Sequence, residues 1–257
     1  MRRFLIGFSY NGTKFTGFQR GNGHLSVEGE ILKCTTEFDL GINVRSASRT
    51  DRSVSALNNY MTIDTEQKPE NLLGIMNSHI RDVYFHSYSL VEDNFNVRHA
   101  ISKTYAYIIP VAFEIPQNFE NILEKFEGTH DFTKFSKPEG RRTIRTIDRI
   151  WVERISGFHA VFFRSRGFLW NQIRFIMGYI LNSTDYNMDP FETSKRILAP
   201  PQNLILVDIK YENIKLIPFR TNSIMREIEQ KNELSRNEYA YYNELNSIIK
   251  LSNTNDL

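Results

Sequence analysis

The sequence has few of the residues that indicate a disulfide, a thiolate metal site or a membrane span. It contains one cysteine among 257 residues, which excludes an internal disulfide and a multi-cysteine zinc site. No segment approaches the roughly 18 consecutive apolar residues of a transmembrane helix, and the N-terminus MRRFLIGFSYNGTKF has no signal-peptide cleavage site. We therefore expect a cytoplasmic protein, or a nuclear one in a eukaryote, with no membrane partner.

Common catalytic signatures are absent as well. The sequence has no glycine-rich phosphate loop, no histidine pair at metal-ligand spacing and no serine nucleophile elbow. His130 and Asp131 form an adjacent pair, but no further ligand is visible for a metal hydrolase built on them. If the chain is an enzyme, these absences favour a mechanism without metal or small-molecule cofactor that depends on one carboxylate.

The charged residues are unevenly distributed along the chain. The 32 basic and 30 acidic residues leave a net charge of only +2, but residues 134–174 hold ten basic residues against three acids. Such a surplus either attracts phosphates or forms a solvated face paired with acids elsewhere. The ten are Lys134, Lys137, Arg141, Arg142, Arg145, Arg149, Arg154, Arg164, Arg166 and Arg174.

Apolar spacing predicts strands alternating with helices in two similar halves. The predicted class is α+β: two α/β-sandwich halves with mainly antiparallel sheets, helices on one face and an active-site cleft between them. We expect domains at 1–100 and 101–220 and a polar helical tail at 221–257. Predicted strands cover 2–9, 43–46, 60–64, 83–91, 103–111, 144–154, 158–165 and 204–211; predicted helices cover 26–39, 69–76, 118–127 and 168–182, with a short one from Asp189.

One short stretch, SASRTDRSV at 46–54, builds neither a good helix nor a good strand. It places Asp51 between Arg49 and Arg52, directly after one apolar segment and before another. Two interpretations stay open at this point. Asp51 is either a salt-bridged loop residue or a reactive carboxylate.

The helix FLWNQIRFIMGYIL carries a cation within an apolar stripe. Arg174 shares a predicted face with Trp170, Met177 and Leu181. A guanidinium is expensive to bury unless it meets an anion. Arg174 therefore either extends to the helix edge to pair with a structural carboxylate or faces a cleft and pairs with a functional one, for which Asp51 is a candidate.

Aromatic residues offer weaker signals. Tyr105 and Tyr107 share a strand face beside Lys103 and are either core residues or a surface on which a base stacks. The segment GFQR at 17–20 combines an aromatic ring, an amide and a cation. Cys34 falls on the apolar spacing of the first predicted helix, which indicates a buried thiol.

Five segments in order resemble the TruA family of tRNA pseudouridine synthases, and the residue choices resemble its archaeal and eukaryotic branch. That family has a Tyr-x-Gly…Phe-x-Gly-[Trp/Phe]-Gln pattern, an Arg-Thr-Asp loop, an Arg-x-Ala…Tyr-x-Tyr strand, a Gly-x-His-Asp-Phe segment and a Phe-Leu…Arg helix. The matching segments are YNGTKFTGFQR (10–20), SRTDRSVSA (48–56), NVRHAISKTYAYII (96–109), FEGTHDFTKFSK (126–137) and GFLWNQIRFIMGYIL (167–181).

The resemblance implies a role for several residues. Asp51 matches the catalytic aspartate, and Arg174 matches the arginine that pairs with it. Arg49 matches the arginine that enters the RNA stack as the target uridine flips out, and Tyr105 matches the tyrosine that packs on the flipped base. Further RNA contacts are expected from Arg52, Phe18, Gln19 and Lys103.

The implied activity is isomerisation of uridine to pseudouridine in the anticodon stem-loop of tRNA, at tRNA positions 38–40 in the family. Base flipping comes first, and a homodimer that needs no cofactor carries out the reaction. Asp51 acts either as a nucleophile or as a general base. The alternative from another class is a non-catalytic RNA-binding or tRNA-folding protein on the same fold.

One position departs from the family pattern. Ser53 stands where the family usually has glycine, two residues after Asp51. If that position has a positive φ, serine costs roughly 1 kcal/mol or more. We therefore expect backbone strain at Ser53.

Overall fold

The structure is a computed structural model that describes residues 1–21, 25–137, 140, 142–155, 157–183, 185–192 and 196–252, with side chains described up to residue 239. The chain divides into two compact units, Met1–Pro218 and Phe219–Leu257.

Four strands and two helices form the first part of the larger unit. Helix α1 begins where Ser26 Oγ accepts a hydrogen bond from the Gly29 amide at 3.2 Å. Helix α2 begins with Pro69, whose missing N–H is not needed in a first turn. The elements are β1 (Arg2–Tyr10), α1 (Val27–Glu37), β2 (Ile42–Ser46), β3 (Ser55–Thr65), α2 (Pro69–His79) and β4 (Val83–Val91).

The second part of this unit contains seven strands and two helices among the described residues. They are β5 (Ser102–Ile108), α3 (Phe119–Glu124), β6 (Gly128–Asp131), β7 (Ile144–Ile147), β8 (Arg149–Ile155), β9 (Phe158–Ser165), α4 (Gln172–Leu181), β10 (Leu204–Lys210) and β11 (Ile217–Pro218).

One nine-stranded sheet joins strands from both parts in the order β11-β4-β1-β3-β10-β5-β9-β8, with β2 also paired to β3. The β3–β10 pair is parallel and short, matching Ser55 and Ala56 with Ile205 and Leu206, and the other pairs in this sheet are antiparallel. The predicted α+β class with a mainly antiparallel sheet is confirmed. The boundary near residue 100 stays a prediction.

Helices α3 and α4 pack on one face of the sheet. Their apolar residues join Tyr107 of β5 and Phe163 of β9 in one buried cluster. The opposite face of these strands carries a smaller cluster of Ala106, Ala160 and Phe162. The predicted burial of Cys34 on α1 is confirmed. The sheet thus provides a rigid support from which loops and helix ends project.

Four element predictions were wrong in detail. The strand predicted at 103–111 ends at Ile108, two residues before Pro110, which cannot donate to a ladder. The strand predicted at 144–154 is two strands, because β7 leaves the large sheet to pair with β6. The helix predicted at 168–182 begins only at Gln172, since Asn171 is left-handed with φ 63°. The element predicted from Asp189 is described as a short 3-10 turn, Pro190–Glu192, and residues 193–195 lie outside the described residues.

The smaller unit contains helix α5 (Asn222–Ser252). Its side chains are exposed along most of the described length, and Lys231 pairs with Glu227 one turn earlier at 3.0 Å. Among the described residues, no helix combines the length and apolarity that crossing a membrane requires.

Candidate active site

Asp51 lies in a loop, residues 47–54, that connects β2 to β3. A turn closes where the Val54 amide donates to the Asp51 carbonyl at 3.2 Å. Ser53 is the third residue of this turn and has a φ of 65°, which is the position and sign at which type II turns favour glycine. The positive φ anticipated for Ser53 is therefore confirmed, and this loop stores backbone strain.

The N-terminal motif holds this loop from one side. Tyr10 Oη lies 2.8 Å from Thr50 Oγ1, and the Phe18 amide donates to the Thr50 carbonyl at 3.1 Å. Gly12 passes so close that a Cβ there would lie 2.1 Å from the Val54 carbonyl oxygen. The Tyr-x-Gly and Phe-x-Gly-Phe segments therefore serve to position the loop that carries Asp51.

Two side chains, the buried Asn59 and the half-buried Lys103, hold the start of the loop. Asn59 Nδ2 donates to the Ser48 carbonyl at 2.9 Å, while its Oδ1 accepts from the Ser48 amide at 3.2 Å. Lys103 Nζ donates to the Ala47 carbonyl at 3.0 Å and to Ser48 Oγ at 2.7 Å. Burial, and then the nearby charge of Arg98, lower the pKa of Lys103 to about 8. Its described contacts are thus with the loop, and its predicted contact with RNA stays a prediction.

Arg174 reaches Asp51 from helix α4. Its Nη1 lies 3.3 Å from Asp51 Oδ2. Two further hydrogen bonds fix the guanidinium: Nε donates to the Ala199 carbonyl at 2.9 Å and Nη1 to Asn171 Oδ1 at 3.0 Å. The Arg174 side chain is 11% exposed and that of Asp51 30% exposed. The cation is therefore shielded, while the carboxylate is accessible to a substrate.

Trp170 is a site residue that the sequence analysis placed wrongly. Its indole Nε1 donates to Asp51 Oδ1 at 2.9 Å, so each oxygen of the carboxylate has its own donor. Lys137 Nζ lies 3.8 Å from the centre of the indole ring, and the Lys137 amide donates to the Trp170 carbonyl at 2.9 Å. Trp170 can reach Asp51 because it precedes α4 rather than lying on its apolar face.

Tyr105 lies beside the same site. Its ring meets Phe168 edge to face at 5.4 Å. Burial raises the pKa of Tyr105 to about 12; a hydrogen bond with Ser48 opposes this, and the charge of Asp51 adds to it. The phenol therefore stays protonated to a higher pH than an exposed tyrosine does.

The other predicted RNA contacts differ in exposure. Arg49, Arg52 and Gln19 are exposed on the surface. Phe18 is fully buried, with its ring 6.0 Å from that of Tyr10. An RNA contact through the Phe18 side chain would require it to leave the core, whereas its backbone already supports Thr50.

The basic residues of 134–174 make two kinds of contact. Arg149 and Arg164 lie over Trp151 on the outer strands, at 5.2 and 5.9 Å from the ring centre. Arg145 donates instead to the backbone carbonyls of Arg142 and Ile144. Arg141 lies outside the described residues.

The His130–Asp131 pair serves local structure. His130 Nε2 lies 2.6 Å from the Glu127 carbonyl, and Asp131 accepts hydrogen bonds from Thr133 and Thr143. In the described part of the chain, no group of three or more His, Cys, Asp or Glu residues is placed to hold a metal ion.

Asp51 therefore provides one accessible carboxylate. Its two oxygens accept hydrogen bonds from Trp170, just before α4, and from Arg174 within α4. The sequence motifs predicted Asp51, Arg174 and Tyr105 as site residues. They missed Trp170 as a partner because the spacing predicted a continuous helix. They also missed Ala199, which acts through a backbone carbonyl and leaves no signal in its side chain.

Comparisons with known proteins give concordant matches. A family model described as tRNA pseudouridine synthase matches residues 122–212. A tRNA pseudouridine synthase A from Picrophilus torridus is 43% identical over 221 residues, covering 85% of this chain and 86% of the relative. Those from Thermoplasma acidophilum and Pyrococcus furiosus are 40% and 35% identical, over 92% and 95% of this chain and 98% and 97% of theirs.

Likeness to solved structures is more distant. A chain of a Cbf5-Nop10-Gar1 complex matches with a TM-score of 0.40 and 11% identity, covering 79% of this chain and about half (48%) of that one.

Proposed function

The chain belongs to the tRNA pseudouridine synthase A family, and on this premise we propose that it isomerises uridine to pseudouridine in tRNA with Asp51 as the catalytic residue. The supporting observation is the accessible Asp51 carboxylate, whose two oxygens accept hydrogen bonds from Trp170 and Arg174. The protein is accordingly an isomerase.

The reaction rearranges one nucleotide. The bond between C1′ and N1 breaks, the base rotates, and C1′ joins C5. The hydrogen on C5 leaves to water and N1 gains a proton, so no second substrate is consumed. Asp51 acts either as nucleophile on the sugar or base, or as general base that removes a sugar proton as the base departs.

The neighbouring residues prepare this step. The target base must leave its stack, which costs a few kcal/mol. Arg49, exposed on the same loop, fills the vacated space, and the neutral ring of Tyr105 stacks on the flipped base. Arg174 and Trp170 fix the orientation of the carboxylate, which places its reactive oxygen before the substrate arrives.

The finer assignments rest on the five ordered motifs. We place the modified uridines in the anticodon stem-loop, at tRNA positions 38–40, and propose a cytoplasmic homodimer. The basic residues of 134–166 contact the RNA backbone. Pseudouridine mapping in tRNA from a deletion strain identifies the positions, and light scattering on the purified protein gives the oligomeric state.

Tritium release from tRNA labelled at C5 of uridine tests the activity. Asp51→Asn keeps the shape of the side chain and removes its charge, so turnover should be lost while tRNA binding remains. Asp39→Asn, at an exposed aspartate just after α1, is the matched control and should turn over normally. Release by Asp51→Asn at the wild-type rate would refute the role of Asp51, and absence of release by the wild type from any tRNA uridine would refute the activity.

A further inference from the structure

A cleft lies beside the start of the Asp51 loop. The cleft has a volume of about 550 Å³ and is lined by strands β1, β2 and β3 and by the segment 94–98 that leads toward β5. Three arginines line it: Arg3, Arg45 and Arg98. Its other polar lining is mainly asparagine, and no acidic residue lines it.

The positive charge of this cleft is only partly neutralised. Arg3 is paired, since its Nε and Nη2 donate to the two carboxylate oxygens of Asp64 at 2.6 and 2.8 Å. Within the described residues, neither Arg45 nor Arg98 forms an ion pair, and both are exposed. Two guanidinium groups therefore face the cleft without an acidic partner. Their combined positive charge makes the cleft attractive to an anion.

Hydrogen bonds and a ring contact hold the wall of the cleft. Val97 is 2% exposed, and Tyr211 Oη donates to its carbonyl at 2.5 Å. The ring of Phe95 meets that of Tyr211 edge to face at 5.3 Å. The Arg98 amide donates to Asn96 Oδ1 at 3.0 Å. Arg98 thus projects from a segment whose backbone is fixed before any ligand binds, which reduces the entropy lost on binding.

Two connections relate the cleft to the active-site loop. Strand β2 carries Arg45 and runs directly into the loop, so Arg45 precedes the exposed Arg49 by four residues. On the other wall, Arg98 is close enough to Lys103 for its charge to lower the pKa of that lysine, whose ammonium holds the base of the loop. Arg45 is therefore connected to the start of the loop through the chain, and Arg98 through Lys103.

We propose that this cleft binds the phosphodiester backbone of the substrate RNA, on the strand that leads to the nucleotide in the Asp51 site. The proposal rests on the proposed function for the identity of that RNA. Guanidinium groups match phosphate oxygens in a two-pronged geometry.

The double variant Arg45→Gln/Arg98→Gln tests the cleft. Binding of unmodified tRNA is measured between 50 and 300 mM salt. Loss of two phosphate contacts should weaken binding about tenfold at the lowest salt and make the slope of log affinity against log salt shallower by about 1.4, at about 0.7 per contact with a single strand. The deficit should shrink as salt rises, whereas a folding defect would persist at every salt concentration.

Two control proteins sharpen the result. Lys68→Gln/Arg81→Gln removes two exposed cations at either end of α2 and should bind and turn over tRNA as the wild type does. Arg45→Lys/Arg98→Lys keeps both charges and should recover most of the salt slope. A deficit of equal size in the lysine variant would overturn the electrostatic contact.

The outcomes separate this proposal from the activity. If the wild type releases tritium and the glutamine variant binds tRNA with wild-type affinity and slope, the cleft proposal is wrong and the activity stands. If the glutamine variant shows the salt-dependent deficit but the wild type releases no tritium, the cleft binds RNA and the proposed activity is wrong.

Discussion

The indole of Trp170 donates to Asp51 Oδ1 at 2.9 Å across 119 positions of sequence, while Arg174 donates to Oδ2. Trp170→Phe removes the first donor and keeps an aromatic ring. A hydrogen bond to a charged group contributes about 1.5–3 kcal/mol, so kcat for tritium release should fall about 10- to 150-fold with little change in KM.

Trp151→Phe, at the only other tryptophan, is the control and should retain the wild-type kcat. Equal kcat values for Trp170→Phe and the wild type would show that Arg174 alone positions the carboxylate.

Ser53 has a φ of 65° in the turn that follows Asp51. Ser53→Gly removes the clash that a side chain meets in this region, so the free energy of unfolding should rise by about 1 kcal/mol. Urea denaturation measures it. Ser53→Ala keeps a Cβ and should show no such gain, and similar stabilities for the glycine and alanine variants would place the strain elsewhere.

Gly12 lies against the end of the active-site loop. A Cβ at this position would lie 2.1 Å from the backbone oxygen of Val54, which cannot move independently of the loop. Gly12→Ala should therefore destabilise the protein by about 2 kcal/mol or more and lower tritium release by displacing Asp51.

Gly74 provides a contrasting case, because a Cβ there would meet nothing within 4 Å in helix α2. Gly74→Ala should stabilise the protein by up to about 1 kcal/mol through helix propensity. A Gly12→Ala protein as stable and active as the wild type would contradict the contact with Val54.

Lys103 makes stability depend on pH. Burial and Arg98 lower the pKa of Lys103 from 10.5 to about 8 in the folded chain. Between about pH 8 and pH 10.5 the unfolded chain binds this proton and the folded chain does not, so folding stability should rise with pH over that window. Below about pH 8 both states are protonated, so Lys103 adds no pH dependence to the folding stability and the cost of burying its charge is fully present.

Denaturation of the wild type and Lys103→Met from pH 7 to pH 10 measures this effect. The wild type should gain stability relative to the variant only above about pH 8, and the exposed Lys14→Met protein should follow the wild type throughout. Parallel curves for the wild type and Lys103→Met would show that the ammonium is not desolvated.

The sequence predicted correctly those helices whose position depends on local apolar spacing or on a proline. Helix α1 begins at Val27 and buries Ile31 and Cys34 as the spacing indicated, and Pro69 opens α2. Prediction failed where a distant partner decides the outcome. Strand β7 pairs with β6 instead of continuing into β8, a choice that depends on hydrogen bonds between chain segments and leaves no periodic signal.

For the site, the sequence by itself determined the family through its ordered motifs, and with it the identity of Asp51, Arg174 and Tyr105. Only the tertiary structure decided how they are held. Because Asn171 is left-handed, α4 begins only at Gln172, and Trp170 lies outside the helix, where it donates to Asp51. Tyr10 and Gly12 contact the loop that carries Asp51, about 40 residues away in the sequence. The sequence specifies the type of each side chain directly. A hydrogen bond between distant residues forms only when the folded backbone brings donor and acceptor within about 3 Å.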